Sequence, residues 1–299
     1  MDYKIAIASG KGGTGKTTVA VSLYRMLTRE FEAIVQLVDC DVEEPNDVIF
    51  FPEAEKIGEE DVLQKIPQID VTKCTFCRAC AEYCAFNAIV VLPTARFAEV
   101  NPSLCHSCGA CLEACQQGAI SEYDQMIGKI SDFKTSIGEG VMEGRLRIGS
   151  SMQTMFIKEL KKKVPSGAEI TIYDAPPGTS CSVVETTVNS DYVLLVTEPT
   201  PFGLYDLKLT VELMHDLNKE FGVIVNKAGL GNDDIYHFIE ENNIDLVGEI
   251  PFVDAFATTY AQGNLDEDMP QEITDAFYAI VEKLKFRILV DERDNHTQR

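Results

Sequence analysis

The chain has 299 residues, 45% of them hydrophobic and 25% charged, with a formal net charge of −22. That balance describes a globular protein with a large core, room for one main domain and something smaller. The acidity argues against nonspecific binding to nucleic acid or anionic lipid, which needs a cationic surface, and otherwise serves solubility. No apolar run reaches transmembrane length and no signal peptide precedes the first strand, so a cytoplasmic protein is expected. Its ten cysteines would be reduced there and free to ligate metal.

Lys4 to Ala8 reads as a buried strand, and Val19, Leu23, Met26 and Leu27 have the spacing of one helix face. Between them lies Ser9-Gly10-Lys11-Gly12-Gly13-Thr14-Gly15-Lys16-Thr17-Thr18. Strand, glycine-rich loop and helix make a phosphate cradle. The glycines let backbone N–H groups turn toward an anion, and the helix N-terminus adds partial positive charge. Phosphate contacts are expected at Gly10, Gly12, Gly13, Thr14, Gly15 and Thr18. Lys16 is expected on the outer phosphates and the Thr17 hydroxyl on Mg²⁺. The loop, with its second lysine at Lys11, resembles the deviant Walker A loop of the MinD/Mrp ATPases, a group that includes ParA proteins and the nitrogenase iron protein. The resemblance implies Mg-dependent ATP hydrolysis to ADP in a homodimer, with Lys11 reaching across to the partner's nucleotide.

Ala33 to Val38 is a second buried-strand run and ends in Asp39-Cys40-Asp41. Acids at the C-terminal end of a parallel strand face the ligand crevice of an open α/β sheet, although two acids there also suit simple capping. In the family the second acid of this pair orients the attacking water, which implies that role for Asp41 and leaves Asp39 to support Mg²⁺ or the loop. Cys40 reads as a packed strand-end residue. From Glu43 to Lys65 the chain turns acidic, with Pro45, Pro52 and Gly58, and is expected to be a switch region followed by an irregular connection.

Residues 66–123 form a separate unit. Cys74-x2-Cys77-x2-Cys80-x3-Cys84 recurs 31 residues later as Cys105-x2-Cys108-x2-Cys111-x3-Cys115, and Ala88-Ile89 recurs as Ala119-Ile120. Zinc competes for such CxxC pairs. The repeat resembles a bacterial two-cluster ferredoxin, in which three cysteines of a run hold one [4Fe–4S] cube and the fourth crosses to the other. The resemblance implies one cluster on Cys74, Cys77, Cys80 and Cys115 and another on Cys105, Cys108, Cys111 and Cys84. Ala85 and Gln116 stand where such ferredoxins usually have proline. His106 is not expected to be a ligand. A segment this short builds little core alone, and two clusters would cross-link it.

Residues 124–299 return to the main domain. Met126 to Gly149 is glycine-rich with alternating stretches, and Met152 to Lys163 reads as a helix ending in lysines. Glu169 to Tyr173 is a strand leading into Asp174-Ala175-Pro176-Pro177-Gly178-Thr179. This run resembles switch II of Mrp-type ATPases, which implies a Mg²⁺ role for Asp174, with Gly178 a pivot when the γ-phosphate leaves. Cys181 reads as a packed cysteine, a redox-active thiol or, by analogy with the nitrogenase iron protein, a bridging-cluster ligand that here lacks its second cysteine. Further strand runs at 192–197, 222–225 and 245–250 alternate with helical patterns at 205–219 and 235–242, the signature of a doubly wound sheet. Asn226 resembles the family's adenine-recognition Asn, though a strand-end Asn is also a common turn residue. Pro251-Phe252 resembles a backbone contact to the base. Gln271 to Lys285 has the helical spacing of a core-packed helix, and Asp291, Glu292 and Asp294 after it argue against membrane docking. His215, His237 and His296 gather no constellation.

The expected fold is an α/β P-loop NTPase with a mostly parallel, doubly wound sheet and an inserted small α+β ferredoxin-like domain. The ATPase is expected at 1–65 and 124–299 and the insert at 66–123. Together the resemblances imply a dimeric ATPase coupled to two [4Fe–4S] clusters, acting in nucleotide-gated electron transfer or in iron–sulfur or metallocofactor assembly and delivery. A redox or metallocofactor protein would be its partner. A positioning ATPase with structural or redox-sensing clusters is the alternative. The C-terminal CxxC of many Mrp-type scaffolds is missing.

Overall fold

The computed structural model describes residues 3–261, 263, 265 and 269–297, with side chains through 288. Its centre is β1 (Tyr3–Ala8), whose burial is nearly complete. A continuous apolar run is what a strand covered on both faces requires. Parallel to it lie β8 (Ile170–Asp174) on one side and β9 (Tyr192–Thr197) on the other. The sheet extends through β2 (Val35–Asp39) on the first side, and through β10 (Phe221–Ala228) and β11 (Leu246–Pro251) on the second. β7 (Gly140–Leu146), β6 (Ile120–Lys134) and β3 (Glu55–Ile69) complete nine strands in the order β11-β10-β9-β1-β8-β2-β7-β6-β3. Only the β7–β6 and β6–β3 pairs are antiparallel, so the mostly parallel α/β sheet is as expected.

Side chains alternate between two cores. Ile5 and Ile7 pack with α1 (Lys16–Glu30), α8 (Asp254–Ala261) and α9 (Gln271–Thr297). Ala6 and Ala8 face α4 (Gln153–Lys163), α5 (Cys181–Thr187), α6 (Pro201–Asp216) and α7 (Asp234–Glu241). Helices on both faces give the three-layer, doubly wound arrangement. In α9, Ile273, Phe277, Ile280, Val281 and Leu284 are buried against the sheet. The side chains of Asp291, Glu292, Asp294 and His296 lie outside the described residues. Among the described residues no helix is long and apolar enough to cross a membrane.

One expectation is corrected. The stretch before Lys65 is not an irregular connection, since β3 runs unbroken from Glu55 to Ile69. Its first half is exposed on both faces, so no apolar alternation marks it, and alternation starts only at Val62, Gln64 and Ile66. Pairing supplies the missing order. β3 and β6 form one ladder from Glu55↔Lys134 to Ile69↔Ile120. Glu59 holds Lys129 across it, and Glu60 holds Lys163 at 2.6 Å. Charged residues also suit an outermost strand, where they discourage pairing with another chain.

β7 covers only the Gly128–Phe133 part of β6. The rest of the 15-residue ladder projects as a two-stranded arm. At about 3.4 Å per residue the full ladder is about 50 Å long. The arm carries two short helices, α2 (Ala79–Glu82) and α3 (Ala110–Ala114), and a hairpin, β4 (Ile89–Leu92) with β5 (Phe97–Val100). The junctions expected at 65/66 and 123/124 fall inside this ladder, at Lys65↔Asp124 and Ile66↔Tyr123.

The α9 packing gives a direct test. Phe277→Ala should lower unfolding stability by about 3–5 kcal/mol, the usual cost of emptying a buried phenyl site, as read by denaturant titration. The wild-type chain should stay unbound to anionic vesicles. A neutral substitution, or vesicle binding, would mean that this helix face serves a surface rather than the core.

Candidate functional site

The phosphate loop lies between β1 and α1, at the C-terminal edge of the parallel strands. Gly13 and Gly15 have φ of +79° and +94°, the left-handed region that glycine enters without penalty. A Cβ on Gly15 would meet the Asn226 amide nitrogen at 2.2 Å, and one on Gly10 would meet the Asp206 backbone at 2.5 Å. Glycine at these positions therefore sets both the curl of the loop and its seating against α6 and β10. Lys16 and Thr18, in the first turn of α1, are buried. The Thr14 hydroxyl is buried with no partner.

Parallel register sets Asp39 beside Asp174. Asp39 accepts backbone N–H bonds from Asp41, Asn46 and Asp47 at 3.0, 2.7 and 3.0 Å, so it organises the segment that follows β2. Asp174 accepts from the Thr17 hydroxyl at 2.7 Å, while its other oxygen is buried and unpartnered. A threonine hydroxyl and an orphaned carboxylate oxygen beside a lysine make a set that fits Mg²⁺ with a triphosphate. Burial pushes Asp174 up to about 6, against the pull of Lys16 and Thr17. Burial also raises Asp41, opposed by Lys16. Asp41 lines the cavity beside Glu43, Pro176 and Ser180, on the open side of the two switch segments. Gly178 ties the second of these to the loop by donating to the Ser9 carbonyl at 3.0 Å.

Two residues escape sequence reasoning. Asp47 is fully buried, neither of its oxygens has a partner, and burial beside Asp39 and Asp174 pushes its pKa well up. In sequence it is one acid among many after Asp41. Glu198 accepts from Lys11 at 2.6 Å and from Lys227 at 2.9 Å. Burial would raise its carboxyl, but the two lysines outweigh this and hold it below the usual range. Only its place at a strand end could have flagged it. Lys11 is thus held within its own chain. Asn226 donates to the Thr14 carbonyl at 2.7 Å and accepts from the Lys227 N–H at 2.9 Å. Cys40 is buried, Cys181 is exposed at the start of α5, and the His215 ring stands edge-on to Phe221.

On the arm, one cavity is lined by Cys74, Cys77, Cys80 and Cys115, and a second by Cys84, Cys105, Cys108 and Cys111. Each gathers three cysteines of one run and the fourth of the other. The backbone repeats as the sequence does. Left-handed φ occurs at Phe76 and Ser107, at Arg78 and Gly109, and at Asn87 and Gly118, always 31 residues apart. These turns aim N–H groups at sulfur: Phe76 toward Cys74 at 3.4 Å, Ser107 toward Cys105 at 3.4 Å and Ala88 toward Cys84 at 3.3 Å. Among the described residues no three potential ligands close on a single ion. Two crossed sets of four cysteines are a donor set that fits an iron–sulfur cluster in each cavity. Burial raises the Cys80 and Cys105 thiols and pushes Cys111 up to about 11. His106 stacks on Phe86, centroids 3.7 Å apart, over the second cavity.

Comparison with known proteins bears on the family and the fold. Residues 5–265 match the CobQ/CobB/MinD/ParA nucleotide binding domain. An uncharacterized protein of Methanocaldococcus jannaschii is 30% identical over 95% of this chain and 99% of its own. An iron-sulfur cluster carrier protein of Pyrococcus furiosus is 26% identical, over 83% of this chain and 74% of its own. The septum site-determining protein MinD of Pyrococcus horikoshii, solved with Mg-ADP, superposes with a TM-score of 0.60 at 17% identity, over 95% of this chain and 96% of that one. The chain belongs to the CobQ/CobB/MinD/ParA nucleotide-binding family, as a MinD/Mrp-type P-loop ATPase whose cysteine-rich segment fits a ferredoxin insert.

Proposed function

We propose that this protein is a nucleotide-gated iron–sulfur protein, in which ATP binding and hydrolysis control electron transfer through, or delivery of, two [4Fe–4S] clusters. One observation carries the reading. A phosphate loop with paired strand-end acids shares a chain with two cavities, each lined by a crossed set of four cysteines. The printed name of the Pyrococcus furiosus relative, an iron-sulfur cluster carrier, supports the same class of task.

In this reading Gly10 to Thr18 cradles the phosphates and Lys16 neutralises the outer ones. Thr17 and Asp174 hold Mg²⁺, with Asp39 fixing the backbone beneath. The metal supplies charge neutralisation at the phosphates. Asp41 orients the attacking water. Asn226 keeps one amide hydrogen and one carbonyl lone pair beyond its bonds to Thr14 and Lys227, enough to read an adenine edge. Lys11 leaves Glu198 to reach the nucleotide of a second copy. On the insert, 66–123, Cys74, Cys77, Cys80 and Cys115 hold one cluster and Cys84, Cys105, Cys108 and Cys111 the other. The clusters supply one-electron chemistry when bound. The chain contributes thiolates, N–H donors to sulfur and the short aromatic cover of Phe86 and His106.

Protein purified without oxygen should contain about eight irons and about eight acid-labile sulfides per chain, and zinc without sulfide would end the cluster assignment. Lys11→Ala should abolish ATP-dependent dimerisation in light scattering, and dimers of unchanged affinity would remove its role in trans. Gating itself is read from the rate at which the reduced protein passes electrons to a soluble viologen. That rate should differ between Mg-ADP and a non-hydrolysable ATP analogue. Equal rates would reject gating and leave the positioning ATPase.

A further inference from the structure

Two cavities outside the phosphate loop and the cysteine pockets share one wall. The first, of about 500 Å³, lies against the switch segments, where Asp41, Glu43, Pro176 and Ser180 line it. The second, of about 160 Å³, lies against the arm, where Gln64, Pro102 and Ser103 line it. Arg147, Ile148, Gly149 and Ser150 line both.

This loop is bonded at each end to something that matters. At its start, the Leu146 N–H donates to the carbonyl of Val42, the residue after Asp41, at 2.7 Å, and the Arg147 N–H donates to Ile127 of β6 at 2.7 Å. At its far end the Ser151 hydroxyl donates to the Ser103 carbonyl at 3.1 Å. Ser103 leads in two residues to Cys105, whose carbonyl accepts from the buried Gln64 amide at 2.5 Å. Between these anchors the loop is held by its own bonds, with the Ser150 N–H donating to the Arg147 carbonyl at 3.0 Å and the Met152 N–H to the Ser150 hydroxyl at 3.3 Å. Ile148 is 100% exposed, so nothing packs on its tip, and Gly149 has φ +84°. Neither cysteine cavity is lined by Pro102 or Ser103, but Cys105, two residues on from Ser103, lines the second of them and not the cavity of Cys74, Cys77, Cys80 and Cys115.

We propose that the 147–152 loop links the Asp41 segment to the Cys105 end of the insert, so that nucleotide state acts on the cluster held by Cys84, Cys105, Cys108 and Cys111 and spares the other. A displacement of Val42 when the γ-phosphate is lost moves Leu146, and the loop passes this to Ser103 and Cys105. The inference rests on the gating reading and adds which cluster is gated and through what. Coupling is reciprocal, so reduction of that cluster changes nucleotide affinity by the same factor.

The test uses the full, cluster-loaded chain in a redox titration followed by electron paramagnetic resonance, with Mg-ADP and with a non-hydrolysable ATP analogue. Cys77→Ser and Cys108→Ser, at matching positions of the two runs, each alter one signal and so assign the pair. The signal altered by Cys108→Ser should change its reduced fraction with nucleotide, by a coupling of about fivefold or more. The signal altered by Cys77→Ser should not. Nucleotide affinity of oxidised and reduced protein gives the same answer without ligand variants. Its ratio should fall toward one in Ser151→Ala, return in Ser151→Thr, and fall in Gly149→Val, where an added Cβ meets nothing within 4 Å and acts through the backbone alone. A response at the other cluster, at both equally, or one untouched by Ser151→Ala and Gly149→Val overturns this inference and leaves gating standing. No response at either cluster overturns both.

Discussion

The structure depends on negative charge held out of water where two parallel strands end. Asp39, Asp47 and Asp174 are at most 2% exposed, and between them they leave three carboxylate oxygens without a hydrogen bond. Uncompensated buried carboxylates cost several kcal/mol unless a cation or a proton joins them. Burial accordingly drives the pKa of all three upward. Lys16 and the Thr17 hydroxyl oppose this at Asp174, and three backbone N–H groups oppose it at Asp39. A divalent cation arriving with a triphosphate would relieve the strain, and the segments tied to these acids would feel it. Asp39 holds the backbone of 41, 46 and 47, and Cys40 donates to the Asp174 carbonyl at 2.9 Å. Asp39, one of the acids that a cation would compensate, is thus also the group that holds the backbone of the segment after β2.

The arm solves a different problem. A unit of this size has little core of its own, and its larger buried cluster is Phe76, Cys80, Ile89, Val91 and Cys111. Two of those five are cysteines that line the cavities, so the proposed ligands are also part of the unit's packing. Clusters would hold these cysteines at fixed spacing and replace the core the unit lacks, so that metal binding would double as folding. A ladder whose strands continue into the main sheet holds the unit in register, and Gln64 and Ser107 stitch it to the arm through the Cys105 and Lys65 carbonyls at 2.5 and 2.6 Å. A flexible linker would let the unit wander, whereas paired strands transmit displacement.

Legibility in the sequence followed the range of the signal. The phosphate loop and the cysteine runs were readable because their signals are local: glycines where φ is positive, and two matching cysteine runs that the fold brings to two cavities. The doubly wound sheet was readable because strands buried on both faces are continuous apolar runs. β3 was hidden, because its first half is an exposed strand ordered by β6, some 70 residues away in the chain, as in Glu59 with Lys129. Asp47 and Glu198 were hidden for the same reason. Nothing adjacent distinguishes them, and their significance arises from Asp174 and Lys11, which the fold alone brings near.

The Lys11 contact shows how such a hidden partner shapes the mechanism. Glu198 binds Lys11 and Lys227 together, and Lys227 also donates to the Gly13 carbonyl at 3.0 Å. The Lys11 side chain is 28% exposed and that of Glu198 13%, so water screens this pair only in part. A charge-assisted bond to a phosphate oxygen is worth about 1.5–3 kcal/mol. The carboxylate holds the lysine against its own chain, and the proposed role of Lys11 on a second copy's nucleotide requires that this pair be broken. Glu198 thus sets one carboxylate between two of the three lysines gathered at the loop, Lys11, Lys16 and Lys227, and offsets part of their mutual repulsion.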